Sequence, residues 1–137
     1  SMAYDKFSRV TSVTDENLNT TKYSYNNLSQ LTQIEQPQQI VNGQLKDVIT
    51  KYRYDNLNLL REIEDANNNI TKYEYDNFYR PTATILPMGQ RNQTNYNKFG
   101  QVVSTKDFNG ATINYNYDTI GRLDRKTFTD SRIPTVS

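Results

Sequence analysis

The chain has 137 residues, with 16 Lys and Arg against 15 Asp and Glu, and it carries neither histidine nor cysteine. A net charge of +1 with no long run of either sign gives no reason to expect nucleic acid or an anionic membrane as partner. The lack of thiols excludes disulfides and thiolate metal sites. The apolar share is only 34%, yet eleven Tyr and five Phe are more than a solvated coil would carry.

Ser1 and Met2 read as a cloning scar, and the rest, residues 3–137, as one array of repeats. No apolar run is long enough for a signal peptide or a membrane span, so membrane insertion is not expected and any export signal would lie outside this sequence. The first repeat opens at Tyr4-Asp5. The same signature returns in chain order as Tyr23-Ser24-Tyr25-Asn26, Tyr52-Arg53-Tyr54-Asp55, Tyr73-Glu74-Tyr75-Asp76, Tyr96-Asn97 and Tyr115-Asn116-Tyr117-Asp118. The anchors Tyr4, Tyr25, Tyr54, Tyr75, Tyr96 and Tyr117 are spaced 21, 29, 21, 21 and 21 residues apart. Self-similarity at a fixed period of this size marks a repeat architecture.

Each repeat reads as strand, turn, strand, turn. The Tyr-x-Tyr spacing has period two and sets both rings on one face of a strand, with Lys, Ser, Arg or Glu between them on the other. Asp5, Asp55, Asp76 and Asp118 (Asn26 and Asn97 in two copies) then open a turn by bonding nearby backbone. Gly100 and Gly121 supply the left-handed residue that closes it. Asn58 replaces that glycine tolerably; Ser8, Ser29 and Tyr79 fit less well, so turns of different geometry or strained turns are expected there. An apolar residue sits three places after every anchor: Phe7, Leu28, Leu57, Phe78, Phe99 and Ile120. A second polar cluster, opened by Asp15, Asp65 and Asp107, marks the second turn.

The long interval contains Ile40-Val41-Asn42-Gly43-Gln44-Leu45. Asn-Gly between apolar flanks is a strong hairpin signal, so a lengthened hairpin is expected at about 37–50. Pro81 lacks a ladder donor and belongs at an edge or a bulge. With Pro87 close by, the fourth repeat is the least regular.

One 21-residue unit buries too little to offset the ordering of its own backbone, so neighbours must share a face. The tyrosines are read as that shared core, their rings packed and their hydroxyls toward water. The alternating charges are read as a solvated outer face. Cut edges of such an array seek strands, which predicts a homodimer or strand exchange.

Catalysis has little material without His or Cys, so no enzyme activity, cofactor or metal is expected. The recurring Asp column could form a cation ladder, but its free exchange with Asn favours turn initiation. Aromatic faces could also stack on sugar rings.

The complete copy Tyr115-Asn116-Tyr117-Asp118-Thr119-Ile120-Gly121-Arg122-Leu123 resembles the YD repeat of Rhs proteins, which is similar to repeats in Tc-toxin C components, wall-associated proteins and teneurins. The resemblance implies an all-β fold, about six two-stranded antiparallel hairpins forming a curved sheet. It also implies a structural segment of a secreted or cell-surface bacterial protein, part of a shell that encloses or displays another domain such as a toxin. The partners would be the remaining repeats and the enclosed domain. The alternative is a carbohydrate-binding or adhesion module.

Overall fold

The computed structural model describes residues 1–130 and is all-β and antiparallel among them. The strands, in chain order, are β1 (Met2–Tyr4), β2 (Val10–Thr14), β3 (Thr20–Tyr25), β4 (Leu31–Val41), β5 (Gln44–Tyr54) and β6 (Leu60–Glu64). They continue as β7 (Ile70–Tyr75), β8 (Pro81–Ile85), β9 (Gln93–Tyr96), β10 (Val102–Lys106), β11 (Thr112–Tyr117) and β12 (Leu123–Thr129). The chain divides into two compact units, residues 1–70 and 71–137; the repeat spacing does not mark that division.

In the first unit β1 to β6 form an up-and-down meander, each strand bonded to its sequence neighbour. In the second, β7 pairs with β8, and β9 to β12 form a four-stranded sheet in the order β12-β11-β10-β9. The regular ladder is interrupted between β8 and β9, where the Ile85–Arg91 bridge and the Asn92 N–H to Thr84 carbonyl bond (3.1 Å) stand in for it. That interruption lies in the fourth repeat.

Both series of turns use one geometry. In the first, the Ser8 N–H donates to the Asp5 carbonyl (3.0 Å) and the Asp5 N–H to the Arg9 carbonyl (2.9 Å). In the second, Leu18 donates to Asp15 (3.2 Å) and Asp15 to Asn19 (3.0 Å). This is a three-residue loop, a type I turn followed by one left-handed residue that forms a bulge. The left-handed residues of the first series are Ser8, Ser29, Asn58, Tyr79, Gly100 and Gly121, with φ between 61° and 84°. Ser8, Ser29 and Tyr79 therefore adopt the same turn as the glycines, not a different one. The bulge shifts register at every anchor, including Tyr75, which pairs with Pro81. Pro81 thus opens β8 at the bulge, where its missing donor costs least.

β4 and β5 extend past their neighbours as a ribbon. Asn42 (φ 51°) and Gly43 (φ 77°) form its two-residue turn, with Val41 opposite Gln44 and Ile40 opposite Leu45. Two successive left-handed residues match the twist of the strands they join.

A closed core is missing from both units. Among the described residues only Ala83, Ala111 and Glu64 are buried, and no large side chain is fully enclosed. The tyrosines expected to form a core are half-buried, and Tyr4 and Tyr79 are exposed. The reason is architectural: a single layer of sheet has nothing packed on its face to exclude water.

Candidate functional site

The recurring residues make a repeated binding device directed at the neighbouring repeat. Its first element is the anchor tyrosine. The Tyr25 hydroxyl donates to the Val10 carbonyl (2.9 Å), Tyr54 to Leu31 (2.8 Å), Tyr96 to Pro81 (2.8 Å) and Tyr117 to Val102 (2.7 Å). Each acceptor opens the returning strand of the preceding repeat, six residues after that repeat's anchor. The hydroxyls expected to face water instead satisfy a carbonyl freed at the bulge. For Tyr54, burial pushes the phenol above its ordinary pKa, and the nearby Tyr52 adds to this.

The second element reaches forward, from the position five after the anchor. Arg9 Nη1 donates to the Asn26 carbonyl (3.1 Å) and to Ser29 Oγ (3.2 Å), while its guanidinium lies 4.8 Å from the Tyr25 ring centroid. Arg80 lies 4.3 Å over the Tyr96 ring. Gln30 Nε2 donates to the Asn58 carbonyl (3.1 Å) and Gln101 Nε2 to the Gly121 carbonyl (2.8 Å). Arg9, Gln30, Arg80, Gln101 and Arg122 form a column visible in the sequence. Its signal was an Arg or Gln at fixed offset, masked by Leu59 in the third copy.

The carboxylates hold the turns. Asp55 Oδ1 accepts from the Leu57 N–H (2.8 Å) and the Leu59 N–H (3.0 Å), and Oδ2 from Arg61 Nε (2.6 Å). Asp5, Asp76 and Asp118 repeat the pattern, with Arg9, Arg80 and Arg122 as the cation. Asn26 and Asn97 make the same two backbone bonds. The backbone N–H of Leu59 holds the Asp55 carboxyl below its ordinary pKa, against desolvation and aided by Arg61. For Asp118 the Arg122 N–H and then its guanidinium do the same. Gly100 and Gly121 occupy the left-handed position, where an added Cβ would meet a side chain at 3.5 and 3.4 Å respectively.

The other sheet face is paired rather than simply solvated. Lys22 bonds Glu35 (2.8 Å) across β3–β4, and Lys51 bonds Glu64 (3.3 Å) across β5–β6. Arg53 joins Glu62 (3.1 Å) and Glu64. The Arg53 and Lys51 hydrogen bonds hold the Glu64 carboxyl below its usual range despite burial.

Tyr23, Tyr52, Tyr73 and Tyr115 are half-buried one position pair before the anchors, on the same face. In the second unit a shallow groove runs between two turns, lined by Phe99, Tyr117 and Ile120 with Asn97, Gln101 and Asp118. Of its polar groups, Asn97, Gln101 and Asp118 are bonded to each other or to Gly121 and Arg122, and the Tyr117 hydroxyl to Val102; Thr119 lines the groove as well. Among the described residues no group of three or more His, Cys, Asp or Glu is placed to hold a metal.

The family described as Teneurin YD-shell matches residues 1–131. The chain belongs to that family. Its repeats are therefore structural shell repeats, and the hairpin architecture is the family's own. A comparison with curated proteins finds no match. Among solved structures, the chain is similar to TcdB2-TccC3-Cdc42, with a TM-score of 0.69, 19% identity, and coverage of 89% of this chain and 6% of that one. It is also similar to a Tc holotoxin pore of Photorhabdus luminescens carrying a TccC3 mutation (0.67, 16%, 98% and 9%). TcdB2-TccC3 without its hypervariable C-terminal region gives the same four values. At these identities the likeness is one of fold, and this YD-shell chain spans less than a tenth of each of those chains.

Proposed function

We propose that this YD-shell chain is a stretch of wall in a larger secreted or cell-surface protein, where it helps to enclose or display another domain, a toxin domain among them. It performs no catalysis itself. One observation carries this reading: the apolar residue three after each anchor is exposed at the turn tip. In the first unit these are Phe7, Leu28 and Leu57, and in the second Phe78, Phe99 and Ile120, each between 57% and 77% exposed. A free-standing domain rarely leaves so regular a series of large apolar side chains in water, whereas a wall segment has neighbours to cover them. The fold shared with the TcdB2-TccC3 chains supports the same reading.

The experiment is limited proteolysis of a longer protein that carries these repeats. Phe7→Asp, Leu28→Asp and Leu57→Asp together are expected to open its enclosed domain to protease at least several-fold faster. Unchanged protection, with sugar binding by the wild-type chain on a glycan array, would replace the shell reading by the adhesion one.

A further inference from the structure

Asparagine stands directly before glycine twice in the sequence, at Asn42-Gly43 and at Asn109-Gly110. Glycine carries no side chain to crowd its own backbone nitrogen and leaves the backbone free to turn. That nitrogen can reach the amide carbon of the preceding asparagine when its N–H is free and the local chain can rotate. The structure treats the two pairs in opposite ways.

Gly110 is tied down. Its N–H donates to the Asp107 carbonyl (3.1 Å), and the Asp107 N–H donates to the Ala111 carbonyl (2.9 Å). Asp107 Oδ1 also accepts from the Asn109 N–H and the Ala111 N–H (2.9 Å each). The strands that flank this loop, β10 and β11, are each bonded on their other side, to β9 and β12. Opening the loop breaks this clamp inside a four-stranded sheet.

Gly43 is not tied down. Among the described residues, neither its N–H nor the Asn42 side chain has a hydrogen-bond partner. Residues 38–45 are exposed throughout. The β3–β4 ladder reaches Glu35 and the β5–β6 ladder reaches Lys51. The pairs Ile40↔Leu45 and Val41↔Gln44 therefore lie in a two-stranded ribbon with no strand beside it. Such a ribbon is marginal in water, and its tip opens at little cost. Lower down, Gln38 bonds Asp47 and Lys46 Nζ bonds Asn67 Oδ1 (2.6 Å), which confines the opening to the tip.

We propose that Asn42 is a site of spontaneous deamidation, to aspartate and isoaspartate, from which Asn109 is protected. Solvent base takes the Gly43 N–H proton, and the nitrogen attacks Asn42 Cγ. The Cγ–Nδ2 bond breaks, Nδ2 leaves with a proton from water as ammonia, and a cyclic imide remains. Water then opens the imide. Attack at Cγ restores the main chain with an aspartate; attack at the Asn42 backbone carbonyl carbon leaves the peptide bond running through Cγ. Either product carries a new negative charge, which cancels the formal net charge of +1. Isoaspartate also lengthens the main chain within a turn built from two left-handed residues, and so releases the Val41–Gln44 pair. This does not depend on the shell reading, because it uses only the chemistry of the two turns.

The test follows both Asn-Gly pairs by peptide mapping and mass spectrometry while the whole chain is held at mildly alkaline pH, folded in buffer or unfolded in guanidinium chloride. In the folded chain Asn42 is expected to convert at least several-fold faster than Asn109, and isoelectric focusing to show a more acidic form growing in step with it. In the unfolded chain the two rates come together. Asn42→Gln abolishes the early acidic form while leaving the far-ultraviolet circular dichroism unchanged. Equal rates at the two sites in the folded chain would overturn the proposal. So would an early acidic form that persists in Asn42→Gln.

Discussion

Four residues past each anchor the backbone turns left-handed, and the side chains found there differ greatly in how well they suit it. Glycine adopts such a φ without a Cβ clash, whereas Tyr79 (φ 63°) and, in the second series, Leu18 (φ 64°) adopt it against their own sterics. Both are exposed and contribute little packing to lose. Tyr79→Gly is therefore expected to stabilise the chain by about 1 kcal/mol, read as a higher urea midpoint at unchanged slope. The Asp position makes the opposite case. Asp55→Ala removes the acceptor of two backbone N–H groups and lowers the midpoint, whereas Asp55→Asn retains most of it, because Asn26 and Asn97 already hold the same turn. At this scale the sequence was readable where a side chain bonds its own neighbourhood, as the Asp and Gly columns do. Leu18 escaped notice because nothing in a leucine announces a turn.

At the level of the hairpin, strands and turns followed from period-two tyrosines and from Asn42-Gly43, since both are local signals. The junction between hairpins did not, because half of it is main chain. No residue type reports that the Leu31 carbonyl is left free by a bulge, and so the Tyr54 hydroxyl seemed destined for water. Tyr54→Phe is expected to cost about 1 kcal/mol by leaving that carbonyl without its donor. Tyr4→Phe, whose hydroxyl meets only Met2 Sδ among the described residues, is expected to leave the stability of the chain unchanged. Equal midpoints for the two variants in urea would show that the hydroxyl bond contributes nothing. The Arg and Gln column could have been found by tabulating offsets, and its alternation between a stacking cation and an amide reflects two ways of reaching the same next turn.

Across the whole molecule, stability is spread over many shallow contacts instead of one interior. Composition already pointed this way, since 34% apolar residues leave little to bury. It could not say that the tyrosines would stay half-exposed, because that depends on what packs on the sheet. Acid sensitivity follows from the same distribution. Asp15, Asp55, Asp65, Asp76, Asp118 and Glu64 all have carboxyls held below their ordinary values in the fold. A depressed folded pKa gives stability that is present above the unfolded value and lost as the pH falls through the folded one. The urea midpoint is expected to be flat between about pH 7 and 5 and to fall below about pH 4, the loss continuing as the pH passes down through the folded values. Asp55→Asn with Asp118→Asn should flatten that fall, and an unchanged acid profile in the double variant would assign it elsewhere.

The hydroxyl-to-carbonyl bond that recurs at the junctions has a genetic corollary. Because Tyr96 and Tyr117 present the same hydroxyl to the same kind of carbonyl, excising residues 96–116 would bring Tyr117 into the seat that Tyr96 vacates. Coding sequence can thus be duplicated or dropped in 63-nucleotide cassettes, by unequal crossing-over between copies, and each splice rejoins matching halves. Such a gene can vary in length freely in whole steps, while an insertion of any other size must leave the sheet, as the ribbon at Asn42-Gly43 does.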